Sequence, residues 1–206
     1  MIILDKATKT IGGRTILDRV DFTFEAHGRY VIYGPSGIGK TTLLNLIAGY
    51  DTLSGGCIVV QEGAQIQYLF QESLLFSNLS VEENMRIKWL SRKQAEDDGN
   101  TFQNRIRAAL ATFFSHVDGI LSQKIYTLSG GERRRVELAQ VVLSTPDILL
   151  LDEPTANLDP ENKIHMIRMI GEAFPKTTHI IVSHDDHSFF EGYRHLKLRE
   201  GTLVDA

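Results

Sequence analysis

The spacing of apolar and polar positions changes several times along the chain, and each change marks an element. Residues 2–4 and 20–24 are short apolar-rich segments, the second alternating with a period of two, and Gly12-Gly13 punctuates the stretch between them. This predicts β-strands around a turn. Residues 29–33 predict another strand, which runs directly into a glycine-rich turn. At about residue 40 the period lengthens: Leu43, Leu44, Ile47 and Ala48 fall at helical spacing, so 40–48 is predicted to be a helix. Ser54-Gly55-Gly56 predicts a turn, followed by strands over 57–60 and 66–70. Residues 80–111 have a helical pattern, with 91–104 rich in charged and polar side chains, and read as an inserted helical lobe. A further helix is predicted from Gly130-Gly131 to about residue 143. The segment 147–152 carries the unbroken apolar run Ile148-Leu149-Leu150-Leu151, as in a strand buried on both faces of a parallel sheet. A helix from Pro160 to about 173, with proline in the favoured first turn, a strand over 179–183 and a hairpin over 196–204 complete the pattern. Strands alternating with helices predict an α/β domain with a largely parallel sheet.

The length of 206 residues suffices for one domain with its own core, or for a core with an inserted lobe. Twenty-two Lys and Arg against 26 Asp and Glu give a formal charge of −4. That balance lacks the basic footprint of a nucleic-acid binder, so no nucleic-acid partner is expected. A single cysteine, Cys57, excludes an internal disulfide and argues against a cysteine-rich zinc site. The first residues lack a basic start followed by a long apolar run, so no signal peptide is expected. Apolar runs fall far short of the ~20 residues that span a bilayer. The sequence therefore predicts an intracellular chain with no transmembrane segment, reaching a membrane only through a partner.

Two segments carry chemistry. Gly34-Pro35-Ser36-Gly37-Ile38-Gly39-Lys40-Thr41 matches G-x-x-x-x-G-K-[ST] in full, between a predicted strand and a predicted helix. Its glycines let backbone N–H groups converge on phosphate oxygens at a helix N-terminus. Lys40 is placed to reach the β- and γ-phosphates and the Thr41 hydroxyl to meet Mg²⁺, and Thr42 joins the nucleotide-binding residues of the loop. The second segment is the strand end Asp152-Glu153. Carboxylates at the C-terminal end of a parallel strand lie where ligands bind in open α/β sheets. Asp152 suits the metal-associated role, and Glu153, one residue on, can deprotonate an attacking water.

Leu128-Ser129-Gly130-Gly131-Glu132 resembles the LSGG signature of ABC ATPases, about ninety residues after the phosphate loop and about twenty before the acidic strand. The resemblance covers essentially the whole chain. It implies an α/β P-loop NTPase core with a mostly parallel sheet, an antiparallel β lobe at the N-terminal side and an inserted helical lobe. The core is expected over 1–71 and 138–206, the lobe over about 72–137. Ser129, Gly130 and Gly131 would bind the γ-phosphate held by a second copy, so an ATP-dependent homodimer is implied. Gln71 resembles the Q-loop glutamine that touches metal and attacking water. Asn157-Leu158-Asp159 resembles the D-loop, and His184 the switch histidine at the γ-phosphate. ATP and Mg²⁺ are the implied cofactors, with Thr41, Gln71 and Asp152 at the metal. The family usually places an aromatic residue for adenine stacking where this chain has Ile11 or Thr10, so weak discrimination between ATP and GTP is expected.

Phe70-Gln71-Glu72-Ser73-Leu74-Leu75-Phe76, with residues 79–84 after it, resembles the lobe of exporters of lipoproteins, peptides or antimicrobial compounds. A transport ATPase at the inner face of the cell membrane, bound to a permease subunit, is the function implied, and Leu74, Leu75 and Phe76 are either its apolar seat or core. The alternative is a soluble ABC ATPase acting on ribosomes or DNA, since Glu132-Arg133-Arg134-Arg135 resembles ribosome-associated members. Those usually carry two ATPase domains and read N-H-L-D where this chain has Ala156-Asn157-Leu158-Asp159. His184-Asp185-Asp186-His187 also leaves open a metal cluster.

Overall fold

The computed structural model describes residues 1–91 and 99–206. Strands β1 (Ile2–Ile11) and β2 (Arg14–Phe24) form an antiparallel hairpin around Gly12-Gly13, and β4 (Gly55–Val60) pairs with the other edge of β1. Both hairpin strands outrun the predicted 2–4 and 20–24. Register shifts between Leu4 and Ala7, Ala7 and Lys9, and Lys9 and Thr10 interrupt the two-residue alternation, so periodicity cannot follow these strands. Gly55 and Gly56, expected in a turn, open β4 instead. Gly56 has φ +74°, and a Cβ there would run into the Asp5 and Lys6 carbonyls, at the irregularity between Asp5↔Cys57 and Thr8↔Gly55.

The second sheet has the order β5-β6-β7-β3-β8-β9, from β3 (Arg29–Tyr33), β5 (Ile66–Leu69), β6 (Ile148–Asp152), β7 (Thr178–Val182), β8 (Arg194–Arg199) and β9 (Thr202–Asp205). It is parallel from β5 to β8, and β9 returns antiparallel through Glu200 and Gly201, at φ +50° and +78°, the signs of a type I′ turn. Every residue of β6 and β7 is buried. Helix α1 (Lys40–Ile47) follows β3 and sinks Leu43, Leu44, Leu46 and Ile47 into a core with Ile32, Leu150, Ile180, Val182 and Leu196. Truncating a fully buried leucine such as Leu44 to alanine costs about 2–5 kcal/mol. In this parallel sheet the carboxyl ends of β3, β6 and β7 lie together, with β7 in the middle.

Two compact units share the chain: residues 1–71, 146–156 and 175–206 in one, 72–145 and 157–174 in the other. The first holds both sheets and α1. The second holds α2 (Val81–Leu90), α3 (Gly99–Ala111), α4 (Val117–Leu121), α5 (Gly130–Val142) and α6 (Pro160–Ala173). The helical pattern of 80–111 becomes α2 and α3, and residues 92–98 of the polar stretch 91–104 lie outside the described residues. Met85, Phe102, Ile106, Leu110, Val136 and Leu138 are fully buried in α2, α3 and α5, which pack on one another. Ser80 and Glu83 form a capping box on α2; the Ser80 amide and the nearby Lys124 ammonium hold the Glu83 carboxyl down to about 2. Buried polar side chains also brace this unit. Arg134 donates to Glu137 (3.0 Å), Glu137 accepts from the Leu74 amide (3.2 Å), and Asn84 accepts from the Phe76 amide (2.8 Å). Among the described residues no helix is long and apolar enough to cross a membrane.

Candidate nucleotide site

Between β3 and α1 the backbone of residues 34–39 turns tightly. Gly39, the residue before the helix, has φ +115° and ψ 12°, and any side chain there would strike Ile16 of β2. Lys40 is 7% exposed, and its ammonium donates to the Gly34 carbonyl at 2.7 Å and the Pro35 carbonyl at 3.2 Å. A cavity of about 480 Å³ opens beside this loop, lined by Ser36, Gly37, Gly39, Lys40, Thr41 and Thr42. Gly34 and Pro35 do not line it; they supply the carbonyls that hold the lysine. Gln71, Asp152, Glu153 and His184 line the same cavity, although they lie 31 to 144 residues from Lys40 in the chain. The sheet order brings them together, because Asp152 ends β6, and Glu153 and His184 follow β6 and β7.

Asp152 accepts from the Tyr68 hydroxyl at 3.4 Å, and the Tyr68 phenol is pushed above its ordinary range by burial and by the Asp152 charge. Glu153 leaves β6 in the left-handed region at φ +48°. Its amide donates to the Val182 carbonyl at 3.0 Å, and its carbonyl accepts from the Ala156 amide at 3.1 Å. Glu153 is 7% exposed, and its Oε1 lies 2.8 Å from Nδ1 of the exposed His184 ring. An ionised carboxylate only accepts, so that nitrogen carries the hydrogen and Nε2 is left for another contact. Thr155 donates to Asp185 at 2.6 Å, tying the segment after Glu153 to the segment after His184.

The cavity joins amide donors and an ammonium for phosphate with an all-oxygen set for a hard cation: the Thr41 hydroxyl, the Asp152 carboxylate and the Gln71 amide. Mg²⁺ favours one or two carboxylates with water and substrate phosphate, so these residues fit it. Glu153 stands next to Asp152 and lines the same cavity, a carboxylate of the kind that can accept a proton.

Ser129, Gly130 and Gly131 lie in the other unit, at the start of α5. The Ser129 hydroxyl accepts from the Glu132 amide (3.2 Å) and donates to the Glu132 carboxylate (2.7 Å), a capping box that holds the Glu132 carboxyl below its usual range. These residues share a cavity of about 290 Å³ with Arg135, Asn157 and Leu158. The signature and D-loop segments thus form one surface of that unit.

Two lining residues were not singled out by the sequence: Val182, the end of β7, and Ile16 of β2, against Gly39. Ile11, at the position the family resemblance reserves for an aromatic, is 49% exposed at the hairpin tip and paired with Arg14; neither it nor Thr10 lines the cavity. His187 does not join His184 in a cluster. Its ring is stacked on Tyr33, and among the described residues no three His, Cys, Asp or Glu side chains are arranged to hold a metal.

The family described as ABC transporter is matched over residues 17–156. The molybdenum import ATP-binding protein ModC of Rhodobacter capsulatus is 38% identical over 80% of this chain and 49% of its own length. The Fe(3+) ions import ATP-binding protein FbpC of Escherichia coli K12 is 32% identical over 91% of this chain and 56% of its own. The chain thus spans about half the length of the curated relatives it matches. A dimeric structure of MJ0796, a bacterial ABC transporter cassette, superposes with a TM-score of 0.85 at 24% identity, covering 100% of this chain and 97% of that one. A second structure of MJ0796, in a post-hydrolysis state with ADP and Pi, has a TM-score of 0.83 at 23% identity. With the family matched across most of its length and the fold shared throughout, this chain belongs to the ABC transporter family.

Proposed function

We propose that this chain hydrolyses ATP to ADP and phosphate and thereby drives substrate movement through a separate membrane permease, to which it binds at the cytoplasmic face. The observation that carries the reading is the convergence of Lys40, Asp152 and Glu153 on one cavity beside the phosphate loop. The loop amides and Lys40 bind the phosphates. Thr41, Asp152 and Gln71 hold Mg²⁺, which when bound neutralises charge on the transferring phosphoryl group. Glu153 takes the proton of the attacking water, and His184, oriented by its hydrogen bond to Glu153, meets the γ-phosphate. Ser129, Gly130 and Gly131 cap the γ-phosphate of a second copy, so two chains close around two ATP molecules.

Relatives named for import favour a transport role over a ribosome- or DNA-directed one. They are not named for export, so the exporter likeness of residues 70–84 gains nothing from them. Leu74 and Phe76 are 69% and 56% exposed, which supports a seat for the permease at this segment rather than core packing. Glu153→Gln tests the chemistry. It keeps size and hydrogen bonding but removes the base, so ATP affinity should hold while kcat falls about 10²–10⁴-fold. Unimpaired hydrolysis by that variant overturns the assignment.

A further inference from the structure

The segment that carries His184 has a second anchor. Upstream, the Ser183 amide donates to the Ile32 carbonyl of β3 at 3.1 Å, and Ser183 is fully buried. Downstream, a short 3-10 turn (His187–Phe189) starts at Asp186, whose carboxylate accepts from the Ser188 amide at 2.8 Å. The exposed His187 ring lies flat on Tyr33, with centroids 3.8 Å apart and planes 7° from parallel. Tyr33 is itself well fixed. It is 6% exposed, its hydroxyl lies 3.1 Å from Nδ1 of His195 on the neighbouring strand β8, and Phe190 meets its ring edge-on at 6.0 Å. The His195 ring is also within stacking range of His187, at 5.1 Å.

Tyr33 is the last residue of β3, and Gly34 of the phosphate loop follows it. The stack therefore fastens the segment after His184 to the strand end from which the phosphate loop springs. His184 itself has an exposed ring and a hydrogen bond to Glu153, which orients the imidazole but does not fix the backbone that bears it. Misplacing a reacting group by about 1 Å can cost about 10²-fold in rate.

We propose that His187, through its stack on Tyr33, is a positioning residue for His184. It does not line the cavity beside the phosphate loop. Any flat ring at this position serves, because the contact is face-to-face stacking and not proton transfer. The proposal rests on the ATPase reading given above.

The test uses the whole chain. His187→Ala should lower the kcat of ATP hydrolysis by about tenfold with KM changed less than about twofold, and His187→Phe should restore kcat to within about twofold. Histidine-selective NMR without nucleotide gives a reading independent of activity: the His184 ring resonances should shift and broaden in His187→Ala and return in His187→Phe. Wild-type kcat in His187→Ala overturns the proposal, as does a phenylalanine variant as slow as the alanine one. Unchanged His184 resonances in His187→Ala also overturn it. A wild-type chain that hydrolyses no ATP defeats the ATPase reading, and the NMR comparison still decides whether His187 positions His184.

Discussion

Lys40→Ala is the sharpest perturbation of the phosphate loop. An ammonium has three N–H donors. Two are engaged, at 2.7 Å on the Gly34 carbonyl and at the weaker 3.2 Å on the Pro35 carbonyl. ATP therefore meets one open donor and one that is readily exchanged. Two bonds to phosphate oxygens at about 1.5–3 kcal/mol each, less about 1–2 kcal/mol for the carbonyl contact surrendered, leave about 1–5 kcal/mol. The expected loss of affinity is thus at least about fivefold and up to about a few thousandfold. The same truncation unties the two carbonyls, so the nucleotide-free variant should also melt a few degrees lower, at about 2–4 °C per kcal/mol for a chain of this size. Calorimetric titration with Mg²⁺ and ATP measures the first quantity, and a thermal melt the second. A folded Lys40→Ala protein that binds ATP within about threefold of wild type refutes the assignment of Lys40 to the phosphates.

Because the nonpolar lining includes Ile16 and neither Ile11 nor Thr10, competition binding should separate ATP from GTP by less than about tenfold; aromatic stacking of a base is worth about 1–3 kcal/mol in single-strand binders, and a hundredfold preference would require a stacking ring elsewhere. Glu153→Gln protein with ATP should scatter light as a dimer and revert on ATP removal, and adding Ser129→Arg should abolish the dimer; one that survives is not held by the signature surface. Glu137→Ala removes the buried carboxylate that pairs with Arg134 and accepts from the Leu74 amide, and should cost about 3–5 kcal/mol in chemical denaturation. Glu83 and Glu132 both titrate below their ordinary values, so they stabilise the fold above the ordinary carboxylate range and this contribution fades as pH falls, for Glu83 toward about 2. In an acid titration Glu83→Gln should flatten that limb of the stability curve.

The run of four apolar residues in β6 made that strand plain from the sequence, and the carboxylates at its end inherited the reliability of the strand. The same holds for Lys40, whose motif specifies its own backbone. The hairpin β1–β2 was only half legible, since bulges near Ala7 and Lys9 change which face each side chain takes. Helix α4, five residues long, is too short to show a period. Ile16 lies outside the predicted strands; its place at the cavity depends on the close approach of Gly39 from another element. Nothing in the sequence marks Glu137 and Asn84 for burial, and only the packed structure shows them buried and accepting from the 74–76 backbone.

The left-handed backbone at Glu153 bears on how the protein would respond to engineering. A side chain with a full stem in that conformation costs about 1–2 kcal/mol, which glycine or asparagine would largely recover. A redesign guided by melting temperature alone would therefore be drawn to replace the residue proposed as the base. A thermostable offspring of this chain should have its hydrolysis rate measured before its melting point is admired.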